Sequence, residues 1–246
     1  MSRKKYQLTI QYDGSDFHGW QVQAQGRTVQ GDIEMALSVI YPEEKITLIG
    51  SGRTDAGVHA LAQIAHVELP AHLPSPELRQ ALNGNLKRDV RVDSAIEADD
   101  DFHARFSATA REYEYHLVKN YSPITRKYAA ELKLDFNQDL LNDCTEILLG
   151  EHDFTSFCKA TAEVENKICT IYEAEWNEMG EKYIFIIRAN RFLHHMVRYL
   201  VGTMLEVAQG RYKVGDFKDL INGSQTKSVV SRAPAHGLFL KKVYYE

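Results

Sequence analysis

Residues 193–209 constrain this chain more than any other stretch. Leu193, Met196, Val197, Leu200, Val201, Met204, Leu205 and Val207 leave almost no polar side to a helix built from them. A helix that is apolar nearly all round must be buried. At its centre stands a single arginine, Arg198. A buried guanidinium is strongly unfavourable unless a carboxylate meets it, so the fold has to bring an acid from elsewhere in the chain. The alternative is an arginine that snorkels to water at a helix edge, which its central place in the apolar run argues against.

The acid best placed to answer lies in Gly50-Ser51-Gly52-Arg53-Thr54-Asp55-Ala56-Gly57-Val58-His59. Three glycines around one arginine and one aspartate make a tight, shaped turn. Strand-like runs at 45–49 and 62–69 flank it. Arg53 and Asp55 are two apart, so extended backbone projects both to the same side. The same residues would also suit an Asx-type turn with an incidental charge pair.

Elsewhere the periodicities alternate between strand and helix. Tyr6, Leu8, Ile10 and Tyr12 alternate with polar residues, the mark of a half-buried strand. A polar loop to Arg27 follows, with Phe17 and Trp20 set among glutamines, either to stack on bases or to staple the loop to the body. Thr28 caps a helix with Val29, Ile33, Ala36, Leu37 and Ile40 on one face. Ser75, as cap, and Pro76, at the first helical position, open a second helix through Leu78 and Leu82, and a strand follows at Val90, Val92 and Ile96. This order, β-α-β-β-α-β, is ferredoxin-like. It recurs as a strand at 111–118, a helix face at Leu140, Leu141, Cys144, Ile147 and Leu148, strands at 168–176 and 183–189, the 193–209 helix, a short helix near 216–221 and a strand at 238–245. The expected fold is therefore α+β, with two ferredoxin-like halves, residues 1–105 and 106–246. Their mainly antiparallel sheets are expected to join around a central catalytic cleft into which Asp55 points.

Several function classes lose support. The chain has 246 residues and a net charge of −5, so any polyanion must meet a local basic surface rather than a uniformly basic protein. No apolar signal core follows the basic residues at the start, and no run reaches membrane-spanning length, which leads to an expected cytoplasmic location with no membrane partner. Cys144, Cys158 and Cys169 are widely spaced, and Cys144 reads as a buried, inert thiol. His194 and His195 are adjacent, and on a helix adjacent side chains diverge by about 100°, so no metal site is expected. Walker, Gly-x-Ser-x-Gly and dinucleotide motifs are lacking.

Six blocks, in order, carry a resemblance. They are Tyr12-Asp13-Gly14 with Gly19-Trp20-Gln21-Val22-Gln23; Gly52 to Ala60; Phe102-His103-Ala104-Arg105; Thr109-Ala110-Arg111-Glu112-Tyr113-Glu114-Tyr115; Phe192-Leu193-His194-His195-Met196-Val197-Arg198; and Ala233-Pro234-Ala235-His236-Gly237-Leu238. With these the sequence closely resembles the tRNA pseudouridine synthase A family over most of its length. Arg191 stands where many members have a smaller residue. The resemblance implies isomerisation of uridine to pseudouridine at positions 38, 39 and 40 of the tRNA anticodon stem-loop, without cofactor or metal, by a homodimer. It implies Asp55 as the catalytic carboxylate and Tyr113 against the uracil. Arg53 would hold the space of the flipped nucleotide or contact its phosphate, Arg198 would orient Asp55, and Leu238 would line the uracil pocket. Whether Asp55 attacks carbon 1′, stabilises an oxocarbenium ion or removes the 2′ proton stays open. Two other classes compete: a non-catalytic RNA-binding module, and a nucleoside hydrolase, which would need a second carboxylate or a metal.

Overall fold

The computed structural model describes residues 2–71, 73–132, 136–159, 165–223 and 229–246. In chain order the first elements are β1 (Arg3–Tyr12), α1 (Val29–Ile40), β2 (Ile49–Gly50), β3 (His59–Pro70), α2 (Ser75–Asn85) and β4 (Val90–Ala98). Next come β5 (Ala110–Val118), β6 (Ala130–Glu131), α3 (Gln138–Leu148), β7 (Gly150–Asp153), β8 (Ile168–Met179) and β9 (Lys182–Ala189). The chain closes with α4 (Met196–Ala208), α5 (Val214–Ile221) and β10 (Leu238–Tyr244). The class is α+β, and strand pairing is mainly antiparallel. Among the described residues no helix is long and apolar enough to cross a membrane.

Contacts divide the chain into one unit of residues 1–109 with 239–246, and another of residues 110–238. The boundary expected from the sequence is 105/106, with the last strand in the second half. Its place in the first unit has a local cause: β10 runs parallel to β3, with Phe239 beside His59 and Leu240 beside Ala60.

In the first unit β1 lies between β3 and β4, antiparallel to both, and β2 pairs with β3 on the far side. That is the ferredoxin-like strand order. The alternation in β1 does what its period requires: Tyr6, Leu8, Ile10 and Tyr12 are all buried. Thr28 caps α1 by accepting the Gly31 amide, as expected. In α2 Pro74 holds the cap position and Ser75 opens the helix, one residue earlier than the sequence reading.

The expected strand at 45–49 shrinks to Ile49–Gly50. Leu48 is buried, but its backbone is satisfied by side chains of α1. Its N–H donates to Glu34 Oε1 at 2.9 Å, and its carbonyl accepts from Gln30 Nε2 at 3.1 Å. A segment whose polar groups are met by a helix has no need of a strand partner.

In the second unit β9 lies between β5 and β8, β7 extends the sheet beyond β8, and β6 pairs in parallel with β5. Helices α3, α4 and α5 pack on one another. Cys144, on the inner face of α3, is fully buried, and burial pushes its thiol up to about 12. α4 is buried on nearly every side, Arg198 included. It begins at Met196, so His194 and His195 precede it, with His195 as cap in the left-handed region at φ 67°. The 100° divergence argued for these two histidines therefore does not apply, and their rings lie 4.1 Å apart.

Candidate active site

The loop between β2 and β3 is held from its own backbone outward. Asp55 O accepts the Val58 amide at 3.1 Å, and Gly57 sits at φ 78°, the third position of a type II turn, which only glycine takes up freely. Side chains alternate as extended backbone requires: Thr54 is buried, Arg53 exposed and Asp55 half-buried. The pair thus shares one side of the loop, while Thr54 anchors the other. Thr54 Oγ1 and the Tyr12 hydroxyl lie 2.7 Å apart in a buried hydrogen bond.

Before Arg53 the loop is fixed by β3. Ser51 N–H donates to Ile64 O at 2.7 Å, Ser51 Oγ to Gln63 Oε1 at 2.7 Å, and Gln63 Nε2 to Gly52 O at 2.9 Å. Gln63 is completely buried yet has both ends of its amide engaged, so it carries no unpaired polar group. Gln63 is not among the residues that the sequence singles out. The available signal is one amide side chain between the apolar pairs Leu61-Ala62 and Ile64-Ala65 of β3.

The polar segment after β1 closes on the same loop. Trp20 N–H donates to Thr54 O at 3.1 Å, Gly57 N–H to Phe17 O at 3.4 Å, and Gly14 N–H to His59 Nδ1 at 3.0 Å. Phe17 and Trp20 are each only 3% exposed, which resolves the earlier alternative in favour of stapling over base stacking. The Phe17 ring carries the Arg27 guanidinium 4.2 Å from its centroid, and Arg27 in turn pairs with Asp32 and Asp89. His59 ends the loop with the Asp13 carboxylate 3.2 Å from Nδ1 and its ring stacked on Phe239 at 4.7 Å. Backbone bonds, a buried amide and a stacked imidazole therefore fix the Asp55 backbone on both sides, the kind of support a catalytic carboxylate needs.

The remaining site residues expected from the sequence lie in the second unit. Tyr113, on β5, is buried with its ring edge-to-face on Phe192 at 5.1 Å. Arg198 is 9% exposed, and its Nε donates to Ala233 O at 2.9 Å while Ala233 N–H returns a bond of 3.0 Å to Arg198 O. This exchange starts a strap. Ser231 N–H donates to Thr203 Oγ1 and Ser231 Oγ to Glu206, while Tyr115 donates its hydroxyl to Pro234 O at 2.9 Å. Burial pushes the Tyr115 hydroxyl well above the ordinary tyrosine range, which keeps it a donor. Gly202 is needed beneath the strap, because a Cβ there would lie 2.3 Å from Ser231 O. The strap leads directly into Leu238, which is buried. The sequence predicts a carboxylate for Arg198, whereas its Nε is taken by a backbone carbonyl.

The model of the tRNA pseudouridine synthase family matches residues 8–107 and 145–246. The chain is 40% identical to tRNA pseudouridine synthase A of Exiguobacterium sp., over 99% of this chain and 98% of that protein. It is 42% identical to tRNA pseudouridine synthase A of Brachyspira hyodysenteriae, over 97% of each. It is 39% identical to the Bacillus subtilis protein of the same name, over 98% of this chain and 99% of the relative.

Proposed function

We propose that this chain, which belongs to the tRNA pseudouridine synthase family, isomerises uridine to pseudouridine at positions 38, 39 and 40 of the tRNA anticodon stem-loop. The observation that carries the reading is the Asp55 loop: a half-buried carboxylate on a turn fixed from both sides, inside the family's matched region. The reaction breaks the bond from carbon 1′ to uracil nitrogen 1 and joins carbon 1′ to uracil carbon 5, with a proton leaving carbon 5 and one gained at nitrogen 1. Charge develops at carbon 1′, where a fixed carboxylate is stabilising whether or not it bonds covalently. Asp55 takes that role. The nucleotide must leave the helical stack to reach it. Arg53, exposed beside Asp55, is placed to hold the vacated space or a phosphate.

Tyr113 is the proposed partner of the uracil ring and Leu238 an apolar wall of its pocket. For Arg198 the proposed role is orientation of Asp55 by its terminal guanidinium nitrogens, its Nε being bonded to Ala233. No step needs redox or phosphoryl chemistry, so the enzyme is proposed to work without a cofactor or metal, in the cytoplasm, as a homodimer. Incubation with unmodified tRNA, followed by mapping of pseudouridine, tests the reading, with a chelated sample alongside. Pseudouridine at positions 38 to 40 in both samples is expected. Free uracil would favour a hydrolase, and binding without product an RNA-binding module.

A further inference from the structure

Between β5 and β6 the chain makes a loop, Lys119-Asn120-Tyr121-Ser122-Pro123-Ile124-Thr125-Arg126-Lys127-Tyr128, that nothing in the proposed chemistry uses. It holds three cations and no acid. It also exposes three large apolar side chains: Tyr121 at 60%, Ile124 at 82% and Tyr128 at 41%. Exposed apolar groups gathered on one short loop mark an interaction surface more often than chance scatter does. The loop is preorganised. Its ends are joined where Leu117 pairs with Ala130 and Val118 with Glu131, and Leu132 N–H donates to Val118 O at 2.9 Å. Its tip is closed by the Tyr128 amide on Thr125 O, by the Ile124 amide on Ser122 Oγ and by Arg126 on Pro123 O. Lys119 is paired with Glu178 at 3.2 Å and lies over the Tyr183 ring, and Arg126 and Lys127 are exposed at the tip.

We infer that this loop is a second RNA contact, binding a looped, unpaired stretch of the tRNA substrate away from the reacting base. Cations of one sign meet phosphates, and exposed rings set between them stack on bases or ribose, the combination that holds single-stranded nucleic acid without reading its sequence. Five residues of strand lie between Tyr113 and Lys119, so the loop starts about 20 Å along β5 from the proposed uracil contact. The same polyanion could therefore reach both. The inference rests on the proposed tRNA substrate, and its test is chosen to fail separately from that reading.

Binding of unmodified tRNA is measured across a salt series for wild type, Tyr121→Ala, Tyr121→Phe and the double variant Arg126→Ala/Lys127→Ala. Pseudouridine formation at saturating tRNA and molecular mass by light scattering are followed alongside. The side chains are exposed, so all variants should melt with the wild type. Tyr121→Ala should bind roughly tenfold more weakly at an unchanged salt slope, since a ring is lost and no charge. Tyr121→Phe should bind like wild type. The double variant should lower both affinity and slope, the latter by roughly 0.7–0.9 per cation removed. Turnover at saturation should stay at the wild-type level throughout. Wild-type affinity in Tyr121→Ala and in the double variant would overturn the inference even if pseudouridine forms normally. Unchanged affinity with a lower molecular mass would make the loop a protein–protein contact instead, and would overturn it equally. Loop-dependent binding without any pseudouridine would sink the proposed reaction and leave the RNA contact standing.

Discussion

Replacing Gly14 by alanine tests whether residues 13–20 clamp the Asp55 loop. A Cβ at Gly14 would lie 2.0 Å from Val58 O and 2.5 Å from the Val58 carbonyl carbon. Both are backbone atoms, so no side chain can swing aside, and the two segments must part by an ångström or more. Over-packing of that kind costs about 1–3 kcal/mol. Val58 is three residues from Asp55 and bonded to its carbonyl, so the displacement reaches the carboxylate. A misplacement near 1 Å costs on the order of 10²-fold in rate. Gly52 supplies the control: a Cβ there meets nothing within 4 Å, and its φ is not in the left-handed region. Gly52→Ala should therefore match wild type in stability or gain a few tenths of a kcal/mol. Urea unfolding and single-turnover pseudouridine formation, measured on both variants, decide the matter. Equal stability and turnover in Gly14→Ala and Gly52→Ala would refute the clamp.

Three more outcomes are expected. Tyr115→Phe leaves the strap carbonyl of Pro234 without its donor, which should cost about 1–3 kcal/mol in urea unfolding; unchanged stability would show that the strap does not depend on that bond. His66 is held down to about 4, first by burial and then by His103 and Lys5, with Glu68 opposing, while its Nδ1 accepts the Ala104 amide at 3.1 Å. Because its folded value lies below the unfolded one, its contribution is complete above pH 6.5 and is lost as pH falls towards 4, by about 2 kcal/mol once solvent screening is discounted. His66→Asn keeps an acceptor for that amide and should flatten this part of the stability–pH curve, and an unaltered curve would contradict the assignment. Arg198→Met and Asp55→Asn, singly and together, form a double-mutant cycle. Breaking a buried pair costs about 3–5 kcal/mol, so the proposed pairing predicts clear coupling, and additive effects would remove it.

Much of this could be read from the chain because local periodicity and burial agreed. In β1 and α1 the alternation, the Thr28 cap and the apolar face all gave the observed elements. The all-round apolar character of α4 correctly placed Arg198 in the interior. What failed depended on partners distant in sequence. Residues 45–48 looked like a strand, but Gln30 and Glu34 of α1 took the backbone groups a neighbouring strand would have used. His194 and His195 looked helical because the apolar period extends back to Leu193, whereas His195 turns left-handed at the cap. The clamp on the Asp55 loop is not legible in the sequence, since nothing local says that Gly14 must meet Val58 or that Gln63 must hold Gly52.

The central claim is that Asp55 is the catalytic carboxylate, and the most direct measurement is pseudouridine formation by Asp55→Ala with tRNA binding followed on the same preparation. Affinity comes mostly from phosphate contacts, so binding should remain close to wild type while product formation is abolished. Pseudouridine produced at the wild-type rate by Asp55→Ala would contradict the account.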